Sequence, residues 1–567
     1  MPCLVIAILL AACAPAAPST VPRSESSGAP PAAPEPSRKL VVMIRVEPAT
    51  LAPRGLQRAG GVTTAMLLRL FNAGLAINDD RGQPNAYLAE ALPQLETDTW
   101  RVLPDGRMET AYRLRADLTW HDEAPLTAAD FAFSWQVYAT PELGAASSLP
   151  FSLIEEVAAT DQRTVLIRWR RPFPDAGSLQ ATDFPPLPRH LLEQPFQTSP
   201  PDSFVALPFW ARDYVGAGPY RLAQWEPGAF MEATAFGGHT LGRGKIPAIR
   251  VLWNGDPNTV LANLAAGDVH VSADDSMQFT HATILRREWS PRGTGTVLFL
   301  PTLWRSTQLQ LRPELAAPRS LQDVRMRRAF AHAVDKQALN DTLFEGQGIM
   351  ADSMIPPTAD YFAEVDRAVM KYPHDPRRTE QLMNEVGYSK GPDGFYTSPD
   401  EGRLATEVKI NAGAQYESEM SLMAAGWRQA GFDVREVVNP AALAQDGQTR
   451  ALFPALYTAS GPLGEDLVRS YGSANIPRLE NRWVGRNRVA WINPEFDRLV
   501  DAFNTTLDRS TRNEQVVRMA RLFSEELPEI ALYFDPGVLA YVAALQGPRV
   551  VAPKGVIGWD IHQWEFR

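Results

Sequence analysis

The stretch WRVLPDGRMETAYRLRADLTW, residues 100–120, decides how this chain is read. Its centre, Pro104-Asp105-Gly106, has the residue types that reverse a chain, and strand formers flank it on both sides. In the second arm Met108, Tyr112, Leu114, Leu118 and Trp120 fall on even positions, while Glu109, Arg113, Arg115, Asp117 and Thr119 fall on odd ones. A period of two puts one face on a core and the other in water. Directly beyond, Thr127-Ala-Ala-Asp130 has capping-box spacing, and Phe131 to Tyr138 behind it predicts a helix packed on that hairpin.

The same alternation of strand and helix patterns extends outward in both directions. Upstream, Leu40-Val-Val-Met-Ile44 is a continuous apolar run and predicts a buried first strand. Downstream, Ser320-Leu-Gln-Asp323 reads as a second capping box. Behind it Val324, Ala329, Phe330, Ala333, Val334, Leu339 and Leu343 recur at helical spacing, which predicts one long helix ending at Gly346. Asp375 and Pro376 open another helix that Gly387 closes. Val516, Met519, Leu522 and Phe523 line a helix stopped by Pro528, and Ile530 to Phe534 follows as a strand. Interleaved elements without a fixed repeat define a mixed α/β protein.

The composition narrows the function. A chain of 567 residues has room for about four units of ~150 residues. Hydrophobic residues at 45% and charged residues at 21% are ordinary globular values, which excludes a disordered or fibrous chain. The 65 acidic and 55 basic side chains leave a net charge of −10, opposite in sign to a nucleic-acid binder, so no nucleic-acid partner is expected. Val5 to Ala12 is too short to span a bilayer but suits a signal-peptide core, and Leu10-Ala11-Ala12-Cys13 looks like a bacterial lipobox. In that reading Cys13 carries lipid and anchors the protein to the cell membrane. Ala14 to Arg38, rich in Pro, Ala, Ser and Gly, is then a disordered tether. Cys3 and Cys13 are the two cysteines, so a mature chain starting at Cys13 has no disulfide framework and no cysteine-ligated zinc.

Motifs for chemistry fail on context. Gly387-Tyr-Ser389-Lys-Gly391 has the letters of a nucleophile elbow, but a helix precedes it where a strand is needed, so it reads as a helix stop. The eight histidines include no pair four residues apart. His121-Asp122-Glu123 lies between a strand and a capping box and reads as a solvated turn. Gly242-Arg-Gly244-Lys245 lacks the remainder of a phosphate loop. No catalytic residue, metal or cofactor is expected, and the protein is read as a non-enzyme.

Four segments, in order, resemble the family 5 extracellular solute-binding proteins, the peptide and nickel receptors of ABC importers. They are Tyr87-Leu-Ala-Glu90 with Leu118-Thr-Trp120-His121-Asp122 and Phe131-Ala-Phe-Ser-Trp135; Gly216-Ala-Gly218-Pro219-Tyr220-Arg-Leu222 with Trp225-Glu-Pro227-Gly228; Asp323-Val-Arg325-Met-Arg327-Arg-Ala329-Phe330 through Ala333-Val-Asp335-Lys336; and Asn493-Pro-Glu-Phe-Asp497 with Leu527-Pro-Glu-Ile530-Ala-Leu-Tyr533. The resemblance implies a type II periplasmic-binding-protein fold, two lobes joined by a hinge, the first enlarged by an extra subdomain. It implies residues 1–12 as signal peptide, 13–38 as lipidated cysteine and tether, 39–85 and 186–304 as first lobe, 86–185 as the extra subdomain, 305–529 as second lobe and 530–567 as the return. It also implies function: capture of an extracytoplasmic solute by lobe closure and delivery to ABC permease subunits, by a monomer. A sensor or chaperone-like clamp of the same fold is the second reading, and a secreted hydrolase the third.

Peptide receptors of this family pair the ligand's amine with an aspartate that here falls on Ser460 or Gly461, which leaves a peptide terminus without its partner unless Glu465 or Asp466 swings in. The same region has no histidine for nickel. What it offers is Tyr416, Tyr457 and Trp491 as flat walls, Asn411, Gln415, Thr458 and Ser460 as neutral hydrogen bonders, and Arg482, Arg486 and Arg488 as a basic cluster. That set suits a neutral or anionic, hydroxyl-rich solute such as an oligosaccharide.

Overall fold

Two strands organise the molecule. Gly295–Leu309 and Glu529–Val542 run antiparallel along almost their whole length, from Gly295 opposite Val542 to Gln308 opposite Glu529. The computed structural model describes residues 39–567 apart from 57–64, 147, 275, 441, 442, 445, 482, 553 and 554. The expected signal peptide, Cys13, the tether and Arg482 lie outside the described residues.

Around this pair an 11-stranded sheet is built. On one side of its midpoint lie Val271–Ser272, Leu40–Ile44, Ala248–Trp253, Phe230–Ala235 and Tyr220–Glu226; on the other lie Leu456–Gly461, Ala405–Asn411 and Asp433–Asn439, and the short strand Ile349–Met350 pairs with the return strand at Phe534 and Tyr533. Leu40–Ile44 pairs in parallel with both of its neighbours, and its continuous apolar run is what a strand covered on both faces needs. From Trp304 onward the first long strand gains Leu456–Gly461 as its outer partner. At the midpoint Pro301 faces Pro536 and the register shifts before Leu303. Two opposed prolines remove ladder hydrogen bonds, so the strand pair is weakest where it passes from one half of the sheet to the other.

Each half has its own cores. The first-lobe cores contain Leu40, Val42, Trp120, Phe131, Trp169, Tyr220 and Val251, with Val260, Leu285 and Trp289 under the helices; the second-lobe cores contain Phe330, Trp427, Tyr533, Trp304, Tyr471 and Phe523. Residues 100–169 add a separate four-stranded sheet in the first lobe, ordered Trp100–Val102, Met108–Arg113, Thr164–Trp169, Ile154–Ala159. Met108, Tyr112, Leu114, Leu118 and Trp120 are all buried, as their period of two requires. Thr127 and Asp130 form the expected capping box of helix Ala128–Tyr138.

Three local expectations change. Ser320 lies in a 3-10 turn, Arg319–Gln322, whose first two N–H groups bond the Glu401 carboxylate, and Asp323 caps the helix instead by accepting from the Arg325 N–H. The expected single helix to Gly346 is two, Val324–His332 and Lys336–Phe344. Asp335 caps the second by accepting from the Ala338 N–H, and the His332 carbonyl is taken by the Asp375 N–H, so both groups that would have continued the helix are used elsewhere.

His121 is the third. It is buried rather than solvated: its Nδ1 accepts from the Gly216 N–H at 3.2 Å and its Nε2 bonds the Gly218 carbonyl at 3.1 Å. One imidazole thereby ties two of the sequence segments together. A Cβ on Gly216 would lie 2.0 Å from the Phe71 carbonyl oxygen, and one on Gly218 would lie 2.5 Å from the Asn72 nitrogen, so both glycines are set by the approach of this segment to helix Ala65–Phe71.

Candidate functional site

Strands Ala405–Asn411 and Leu456–Gly461 are parallel, so their C-terminal ends reach the same edge of the second-lobe sheet, beside the midpoint of the long strands. In α/β sheets that edge is where loops and helix starts gather polar groups around a ligand. Here it assembles Asn411, Ser460 and, from the first turns of helix Ala414–Ala430, Gln415, Tyr416 and Glu419.

A buried ion pair anchors the edge. Arg305 donates to Glu419 through both Nε, at 2.9 Å, and Nη2, at 2.6 Å, and stacks its guanidinium 4.2 Å from the centre of the Tyr416 ring. Both side chains are excluded from solvent, at 4% and 0% exposure. Burial alone would lower the Arg305 pKa, but Glu419, Tyr533 and Asp535 together hold it above its ordinary value. Arg305 Nη1 also donates to Ser460 Oγ at 3.2 Å, Ser460 Oγ donates to Asp535 Oδ2 at 3.4 Å, and Gln415 Nε2 donates to Asp535 Oδ1 at 3.5 Å.

Asp535 carries no signature in the sequence. It sits two positions beyond Tyr533 on the long return strand, 75 residues from Ser460 in the chain, and no local pattern marks it. Glu465 and Asp466, the acids within reach in sequence, are engaged: Glu465 accepts from Arg509 at 2.8 Å, and Asp466 pairs with Arg469 at 2.6 Å.

The remaining expected residues separate by face. Tyr457, Thr458 and Trp491 are enclosed in the second lobe. Tyr457 donates to Asn411 Oδ1 at 2.8 Å, Thr458 Oγ1 lies 2.9 Å from Thr307 Oγ1, and Trp491 Nε1 donates to Glu526 at 2.5 Å. Arg486 lies on the opposite face of the sheet from Ser460 Oγ and donates from Nη2 to the Ser460 carbonyl at 3.0 Å. Its guanidinium crosses Gly461, where a Cβ would stand 1.7 Å from Nη2, so the glycine makes room for the arginine. Arg488 is buried beside it. Among the described residues no three His, Cys, Asp or Glu side chains gather as a metal site would require.

Two lobes sharing one sheet, joined by two long strands with a polar cluster at the junction, define a type II periplasmic-binding-protein architecture. The solved structures that superpose on it agree. NikZ from Campylobacter jejuni, in complex with Ni(L-His), matches with TM-score 0.74 and 21% identity over 94% of this chain and 100% of that one. The oligopeptide binding protein from Thermus thermophilus, complexed with a pentapeptide, matches with TM-score 0.73 and 20% identity over 93% and 96%.

The model of the bacterial extracellular solute-binding proteins, family 5, matches residues 90–476, more than half of the chain, and the chain belongs to that family. The dipeptide-binding protein of Escherichia coli is 23% identical over 78% of this chain and 81% of its own length. The oligopeptide-binding protein OppA of Bacillus subtilis is 23% identical over 87% of each. An ABC transporter peptide-binding protein candidate of Brucella ovis is 24% identical over 52% of this chain, and the chain spans about half the length of that relative.

Proposed function

We propose that the protein is the substrate-binding component of an ABC importer, a non-enzymatic receptor that captures an extracytoplasmic solute between its lobes and delivers it to permease subunits. The observation that carries this reading is the pair of long strands with opposed prolines at the passage between lobes, because a two-strand hinge lets the lobes close on a ligand whose affinity for the closed form supplies the energy. Family membership and the dipeptide- and oligopeptide-binding names of relatives support it. In this proposal Cys13 is the lipid anchor, Ala14 to Arg38 the tether, 39–85, 186–304 and 530–567 the first lobe, 86–185 its extra subdomain and 305–529 the second lobe of a monomer. Among the described residues no helix is long and apolar enough to cross a membrane.

Gln415, Tyr416, Ser460 and Asp535 would line the solute. The carboxylate of Asp535 beside Ser460 restores, from another strand, the negative charge that the sequence lacks at the family's amine-anchoring position, and this favours a peptide over an oligosaccharide. The test is small-angle scattering together with thermal melting on a panel of di- to pentapeptides, oligosaccharides and Ni(L-His). A solute that raises the melting temperature and shrinks the radius of gyration supports the receptor reading. Chemical conversion of any panel member by the pure protein would sink it.

A further inference from the structure

The face of the second-lobe sheet opposite Ser460 Oγ gathers Arg450, Arg486 and Arg488 close together. Arg450, from helix Gly447–Ala451, and Arg486 and Arg488, from the segment after it, are close enough that Arg450 and Arg486, after burial itself, push the Arg488 guanidinium down to about 9. Glu529 interacts with both Arg486 and Arg488, and it is already bonded by Ser306 Oγ at 2.6 Å and Tyr471 Oη at 2.7 Å. Burial raises its pKa, which weakens it further as a counter-charge.

Hydrogen-bonding capacity on this face is in surplus. Arg488 is 8% exposed, and among the described residues its Nη1 has no hydrogen-bond partner, nor does Arg486 Nε. Gln308, 0% exposed, stands between Tyr457 and Glu529 as its cross-strand neighbours, and neither polar atom of its amide has a hydrogen-bond partner among the described residues. Partners in an antiparallel pair point to the same face, so Gln308 projects toward the ring of groups that surrounds Arg488. A buried guanidinium N–H left without an acceptor carries a desolvation cost, and so does a buried amide with nothing to bond. Three of the four unbonded atoms, Arg488 Nη1, Arg486 Nε and Gln308 Nε2, are donors, and the fourth, Gln308 Oε1, is an acceptor.

We propose that Arg486, Arg488 and Gln308 donate to a carboxylate or phosphate group in an oxyanion subsite of the second lobe, with Arg450 adding its charge. Half-buried Arg486, lying across Gly461 at the strand end that also carries Ser460, is the side from which the group enters. The subsite lies behind Ser460 and Asp535, so a solute with a positive and a negative end would meet an acid on one face of the strand and arginines on the other. The source of the oxyanion, a free ion or the captured solute, is the part that rests on the receptor reading.

The test uses the full chain and inorganic phosphate, with chloride at equal ionic strength as the reference. Phosphate is expected to raise the melting temperature by several degrees more than chloride. Arg488→Gln is expected to lose at least half of that increment and Arg488→Lys, which keeps the charge but not the fork, to lose less than Arg488→Gln, while exposed Arg435→Gln leaves it unchanged. Melting temperatures without phosphate report whether each variant folds. An increment that is absent, or equal in the native chain and a folded Arg488→Gln, overturns the proposal. Titration with trialanine and trialanine amide then separates the sources. A preference for the free carboxylate that Arg488→Gln abolishes assigns the subsite to the solute, and equal behaviour of the two probes with a retained phosphate increment assigns it to a free ion. Scattering on the same samples reports lobe closure independently.

Discussion

Arg512 of the second lobe places Nη1 3.6 Å from Asp175 of the first lobe and Nη2 3.7 Å from Glu465 of its own. Close by in the chain, Leu507 packs against the first-lobe core. Arg512 is 7% exposed while Asp175 is 38% exposed, so the pair across the lobes is partly screened. Asp175→Asn removes the cross-lobe charge and leaves Glu465 with Arg509. It is expected to weaken the contact between the lobes by less than about 1 kcal/mol, which, if that contact holds the lobes around a solute, is up to about fivefold in solute affinity. Calorimetric titration with a solute identified by the panel checks this; unchanged affinity and unchanged radius of gyration would show that the pair does not hold the lobes.

Glu419→Gln is expected to cost more. The substitution leaves Arg305 buried without its bidentate acceptor, and breaking a buried pair from one side costs about 3–5 kcal/mol. An unfolding free energy from urea titration lowered by that amount is the expected result. A loss below about 1 kcal/mol would mean that Asp535 and Ser460 suffice to hold the guanidinium.

Stability should fall on acidification below neutrality. Burial, the leading cause in each case, pushes the pKa of His121 down to about 4, of His239 to about 3 and of His562 to about 4. The folded chain therefore keeps them neutral while the unfolded chain takes up protons below its ordinary histidine value of about 6.5. Their contribution is complete above that value and is lost as the pH falls from about 6.5 toward 4, at up to about 1.4 kcal/mol per pH unit for each. Urea unfolding between pH 7.5 and 5 should follow this slope, and His121→Gln should reduce it. A flat profile would contradict the assignment of neutral, buried imidazoles.

Gly218→Ala is expected to destabilise the first lobe by about 3 kcal/mol, because its Cβ would press on the backbone at Leu70 and Asn72 rather than on a side chain that can turn away. Gly461→Ala should cost less, about 1 kcal/mol, since the three atoms nearest the Cβ belong to the Arg486 guanidinium, which can shift at the loss of its bond to the Ser460 carbonyl. Denaturant midpoints of the two variants compare them directly, and equal losses would refute the distinction.

Much of the scaffold was legible from short-range pattern. The period of two in Met108 to Trp120, the Thr127–Asp130 box and the Asp375-Pro376 start each depend on atoms within a few residues, and they hold in the structure. The break between His332 and Lys336 was hidden because it depends on Asp375, 43 residues away, taking the His332 carbonyl. His121 was read as solvated for the same reason, since its partners Gly216 and Gly218 lie 95 and 97 residues on.

By itself the sequence determined the α/β class, the order of elements and the family, because periodicity, caps and turns are local and the four segments occur in order along the chain. Tertiary structure alone decided which groups meet at the lobe junction. Ser460 acquires Asp535 and Arg305 from two separate strands, Arg488 acquires Arg450 and Glu529, and Tyr457, Thr458 and Trp491 turn inward. Those meetings depend on cross-strand register and on which face of the sheet each residue takes, neither of which any single segment of the chain encodes.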